Sequence, residues 1–79
     1  MTFKEADNLA TCLADRGFKT DSGLSQGEAI VYIHGNGFET IWNGETAMDR
    51  NEAGLSIAHD NIQNWLKSWM ASPRVRRLA

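Results

Sequence analysis

Between Ala29 and Met48 two apolar runs alternate with glycine turns, and this segment limits the fold of the 79-residue chain more tightly than any other. Ala29–His34 (AIVYIH) and Phe38–Trp42 (FETIW) are β-branched and aromatic, and runs of that kind bounded by Gly and Asn are strands. Gly35-Asn36-Gly37 is a three-residue hairpin loop. Asn43-Gly44 is a two-residue turn, whose positions need positive φ. Glu45–Met48 is the returning strand, although the same residues could open a helix. Short loops set register. These lengths pair Val31 with Ile41 and Ile33 with Glu39, then Ile41 with Thr46 and Glu39 with Met48.

That register sorts the side chains. Val31, Ile33, Ile41 and Met48 share one face with Glu39 and Thr46. Ile30, Tyr32, His34, Phe38, Thr40, Trp42 and Ala47 share the other. Helices can cover only one face of so small a sheet. The aliphatic face suits them better, which leaves the aromatic face partly open; the converse, with the aromatic face as the core, is the alternative.

The flanks are helical. Thr2 and Glu5 form a capping box before the stripe Ala6, Leu9, Ala10 and Leu13. Gly17 stands at a left-handed C-cap, with Phe18 placed to fold back on Leu13. Phe18–Ser22 is available as an edge strand, and Gly23–Gly27 reads as a loop. From about Asn51 the pattern turns helical again, with Ala58, Ile62, Trp65, Leu66 and Trp69 on one stripe. Asp60 and Gln63 offer a second capping box, and Ser72-Pro73 stops the helix. The expected fold is α+β: a two-layer sandwich with an N-terminal helix, an antiparallel meander of three to four strands and a C-terminal helix. Residues 1–79 form one compact domain with a short basic tail, 74–79.

Composition narrows the function classes. A chain this short buries a small core. One cysteine, Cys12, allows no internal disulfide, no apolar run is long enough for a membrane span, and the N-terminal residues lack a signal-peptide pattern. Together these suggest a cytoplasmic setting. Residues 21–60 carry Asp21, Glu28, Glu39, Glu45, Asp49, Glu52 and Asp60 against Arg50 alone, while residues 61–79 hold Lys67, Arg74, Arg76 and Arg77 and no acid. An acidic body points to a protein partner with a basic surface and away from direct nucleic-acid binding.

Motifs for chemistry are missing. His34, His59 and Cys12 lack the short spacings of a zinc site. Ser56, His59 and Asp60 lie close in sequence, but nothing supplies an oxyanion hole or a separately oriented base. The glycines match no phosphate-binding pattern. No catalytic residue, metal or cofactor is assigned, and the chain reads as a non-enzyme. The candidate partner-binding residues are the aromatic Tyr32, Phe38 and Trp42 with the acidic Glu39, Glu45, Asp49 and Glu52. Aromatic anchors hold complexes, and charges speed encounter.

The helix–meander–helix order is similar to that of double-stranded RNA-binding domains. Those open their last helix with lysines, where this chain has Asp49-Arg50-Asn51-Glu52, which repels phosphate. The run IVYIHGNGFETIWNGETAMDRNEAGLSIAHDNIQNWLKSW, residues 30–69, resembles the small phage-encoded anti-CRISPR proteins. Several of those combine a compact meander, an acidic connection and a Trp-bearing helix. The resemblance implies a non-catalytic inhibitor, acting in the cytoplasm of a bacterial host, that occupies a nucleic-acid-binding surface of a CRISPR effector. The net charge of −2 and the basic tail depart from the DNA-mimicking members, so the mode implied is direct blocking. A different class of function also fits: a small structural or regulatory homo-oligomer, a homodimer for instance, whose open face pairs with its own copy.

Overall fold

The computed structural model describes residues 1–77. Its elements run α1 (Phe3–Asp15), β1 (Lys19–Ser25), β2 (Glu28–His34), β3 (Glu39–Trp42), β4 (Ala47–Asn51), β5 (Gly54–Ile57), α2 (Asp60–Met70) and α3 (Pro73–Arg77). The strands form one antiparallel sheet in the order β1-β2-β3-β4-β5. The α+β class is as expected, with five strands instead of three to four.

Helix α1 starts and stops as its sequence dictates. The Glu5 N–H donates to Thr2 Oγ1, and the Thr2 N–H donates to Glu5 Oε1. That backbone donor is the main reason the Glu5 carboxyl sits below its ordinary range. At the far end Gly17 takes φ +96° and the Phe18 N–H bonds the Leu13 carbonyl at 3.1 Å. The Phe18 ring meets Trp65, at 5.2 Å between centroids.

The strands differ from expectation in extent and register. β1 runs through to Ser25, so Gly23 and Leu24 are strand residues. Its turn into β2 is Gln26-Gly27, both at positive φ. The β2–β3 turn is Asn36-Gly37, with the Gly35 N–H donating to the Phe38 carbonyl, so Val31 faces Trp42 and Ile33 faces Thr40. The next turn centres on Gly44-Glu45. Asn43 Oδ1 accepts from the N–H groups of Glu45 and Thr46, both at 2.8 Å, and carries the pairing to Trp42 with Ala47 and Ile41 with Met48. The first shift, by one residue, moves Ile41 to the other face of the sheet; the second, by two, preserves the faces.

The core therefore takes half of each expected set. Ala29, Val31, Ile33, Trp42 and Ala47 pack against Ala6, Leu9, Ala10, Cys12 and Leu13 of α1, Leu66 of α2 and Val75 of α3. Ile41 and Met48, expected beneath the helices, lie on the opposite face. The indole of Trp42 is fully buried, and its Nε1–H finds no hydrogen-bond partner among the described residues.

The segment expected to turn helical from Asn51 instead makes the β4–β5 hairpin, turning at Glu52-Ala53. Helix α2 begins at Asp60, capped by His59, whose Nδ1 accepts from the Asn61 N–H at 3.1 Å. Gln63 does not close a capping box with Asp60. Its amide clamps α2 to the sheet: Oε1 accepts from the Ala47 N–H, and Nε2 donates to the carbonyls of Ala47 and Ala58. Residues 74–77, expected in a polar tail, belong to α3. Val75 is buried, Asn8 Nδ2 donates to its carbonyl, and Arg74 pairs with Asp15. Leu78 and Ala79 lie outside the described residues. Among the described residues, no helix is long and apolar enough to cross a membrane.

Candidate functional site

The helices lie on one side of the sheet, and no described helix covers the other. Cross-strand register arranges that open face in rows. One row runs Asp21, Tyr32, Ile41, Met48 and Ile57 from β1 to β5. The next runs Lys19, His34, Glu39, Arg50 and Leu55. Ile30 lies beside Tyr32 on the same face and is buried, although it does not belong to the helix-covered core.

The first row is an apolar stripe with an acid at its β1 end. Tyr32, Ile41 and Met48 are half-buried, and Ile57 is 73% exposed. The ring of Tyr32 lies over Gly23, where an added Cβ would stand 3.3 Å from Cε2, so the glycine gives the ring its seat. Tyr32 also stacks with His34, 6.4 Å between centroids and 14° between planes.

The second row is a chain of polar contacts. His34 Nε2 stands 3.2 Å from Asp21 Oδ2, and its Nδ1 stands 3.9 Å from Glu39 Oε2. Arg50 donates to Glu39 Oε1 at 2.9 Å. Four strands are thus tied across the face, through exposed Asp21, His34 and Arg50 and the half-buried Glu39, each pair being worth about 1 kcal/mol or less. No described hydroxyl or thiol is hydrogen-bonded to His34. Among the described residues no three His, Cys, Asp or Glu side chains are grouped to hold a metal.

The candidate binding residues are scattered by the true register. Tyr32 and Glu39 stand together on the open face. Trp42 is in the core, so it presents nothing to a partner. Asp49 also points to the helix side, where it accepts from Thr40 Oγ1 at 2.7 Å. Phe38 lies just before β3 on that same side, 46% exposed, with its ring so close over Gly35 that there is no room for a Cβ there. Glu45 and Glu52 occupy turns at opposite ends of the sheet. The acidic cluster expected from Glu39, Glu45, Asp49 and Glu52 does not form. The acids that do share the open face are Asp21, Glu28 and Glu39, by strand alternation. Sequence reasoning missed Ile41, Met48, Leu55 and Ile57. The Asn36-Gly37 pair, taken as the turn, would have placed Ile41 correctly.

A second aromatic group is on the helical side. Trp65 and Trp69 meet edge to face at 6.4 Å, Phe18 adjoins Trp65, and the Arg16 guanidinium lies 5.3 Å from the Trp69 ring. Both tryptophans pack against the core, so this cluster fastens α2 to the end of α1.

Comparison with protein-family models, with curated proteins and with solved structures finds no match to this chain.

Proposed function

We propose that this protein is a non-catalytic binding domain that docks its open sheet face on a basic surface of another protein. The observation that carries the reading is the uncovered Tyr32–Ile41–Met48–Ile57 stripe with Asp21, Glu28 and Glu39 on the same face. Contiguous apolar surface flanked by charge marks interaction sites. Tyr and Met are enriched in interfaces, and Asp21, Glu28 and Glu39 outnumber Lys19 and Arg50 on this face by one, an acidic balance that favours a basic partner. Following the resemblance of residues 30–69 to small anti-CRISPR proteins, the partner is the nucleic-acid-binding surface of a CRISPR effector, and docking blocks that surface directly.

The test is target-DNA binding by purified effectors of each class, with and without this protein. Stoichiometric protein is expected to abolish binding by one class. Ile41→Arg and Tyr32→Ala, which leave the helix-covered core untouched, are each expected to weaken inhibition about tenfold or more. Inhibition should also weaken as salt rises, since exposed charges are screened over about 8–10 Å. If DNA binding by every effector is unchanged, the inhibitor reading is wrong. If inhibition occurs but both variants inhibit as the parent does, the open face is not the contact.

A further inference from the structure

The sheet has one guarded edge and one unguarded edge. At β1, Lys19 and Asp21 put charge on the edge strand, and α1 lies along it, with Thr20 Oγ1 donating to the Ala10 carbonyl and Ser22 Oγ to Asp7 Oδ1. Charge and cover are the usual protections of an edge. β5, with the sequence Gly-Leu-Ser-Ile, has neither: it carries no charge and no proline, and all four residues are exposed.

Its outward backbone groups can be identified. The Ala58 N–H donates to the Ala47 carbonyl, so these two are a hydrogen-bonded pair. Alternation along an antiparallel ladder then makes Ser56 with Asp49, and Gly54 with Asn51, bonded pairs, and leaves Leu55 and Ile57 between them. The N–H and C=O groups of Leu55 and Ile57 therefore point away from the sheet. None of the four is bonded by a described residue. The same two residues carry exposed apolar side chains, 59% and 73%.

The geometry points to a second copy of this chain at that edge, pairing β5 antiparallel with β5 about a two-fold axis through Ser56. Leu55 of each copy then faces Ile57 of the other, and the two bonded pairs give four main-chain hydrogen bonds. The strand is its own complement: apolar side chains meet apolar side chains, and no like charges are opposed within it. The assembly stops at two, because head-to-tail growth would need β1, the guarded edge. The two open faces become one ten-stranded surface. So few contacts make a weak dimer, below the area of a standard stable interface. The inference does not depend on the identity of any other partner.

Sedimentation equilibrium from micromolar to millimolar protein tests it. The mass of the parent is expected to rise from monomer toward dimer and no further. Ile57→Lys, a change at an exposed position, should stay monomeric throughout with an unaltered circular dichroism spectrum. Ile41→Lys, in the middle of the open face, should dimerise as the parent does. Ser56→Cys should form a disulfide between copies on mild oxidation, since non-bonded antiparallel pairs bring Cα atoms to about 4.5 Å, within disulfide reach. A parent that remains monomeric at millimolar concentration overturns the inference. So does an Ile57→Lys dimer of parental strength. Loss of the dimer in Ile41→Lys would place the contact on the sheet face and overturn it equally.

Discussion

Truncation of Trp42 to Ala is expected to remove a large share of the domain's stability. The indole is fully buried between the sheet and the helices. Removing it costs about 3–5 kcal/mol, in transfer free energy and in the cavity left behind. A chain of this length has roughly 4–12 kcal/mol to lose. The thermal midpoint should fall by about 12–40 °C, at about 4–8 °C per kcal/mol in a domain of this size. Trp42→Phe should cost much less than half of that. It also leaves a gap, but it removes an N–H that is buried without a partner among the described residues, whose desolvation alone costs about 1–3 kcal/mol. Circular dichroism melts of the two variants give both numbers. A Trp42→Ala protein that melts with the parent would show that the indole lies outside the core.

Two isoleucines eight residues apart are expected to behave oppositely. Ile33 is 8% exposed and packs against the helices, whereas Ile41 is half-buried on the open face. Ile33→Ala should cost about 2–5 kcal/mol, as core truncations do. Ile41→Ala should cost about 1 kcal/mol or less, because little of its surroundings is sealed from water. Urea titration of both variants measures the difference. Equal losses, or the reverse order, would mean that the β2–β3 hairpin is in the other register.

That pair also marks where the chain could be read and where it could not. The start and stop of α1 were legible, because Thr2, Glu5 and Gly17 act on backbone within a few residues of themselves. The existence of the two central hairpins was legible for the same reason. Their register was not. Gly35-Asn36-Gly37 admits a three-residue loop or a two-residue turn, and the structure takes the second, with the Gly35 N–H bonded to the Phe38 carbonyl and the Phe38 ring against Gly35. One residue of slip moved Ile41 and Met48 out of the core and Trp42 into it. β5 was hidden because Gly-Leu-Ser-Ile has weak strand character by itself; it is held by β4 and by the turn at Glu52-Ala53. α3 was hidden because a single apolar residue, Val75, gives no periodicity, and its partners lie in α1. Of the candidate site, Tyr32 and Glu39 were found from sequence. The rest of the stripe depended on a register that only the assembled sheet determines.

The docking of α3 on α1 has a consequence for the order in which a nascent chain can become whole. Asn8 and Asp15 leave the ribosome early, and their partners at Val75 and Arg74 follow 67 and 59 residues later. At about 5–20 residues per second, that separation amounts to roughly 3–13 s of synthesis. A lone helix of 13 residues is only marginally stable in water. The sheet residues that α1 packs on emerge first and can seat it in part. The contacts of Asn8 and Asp15 with α3 close only when residues 73–77 arrive, so during those seconds α1 stands without that part of its cover.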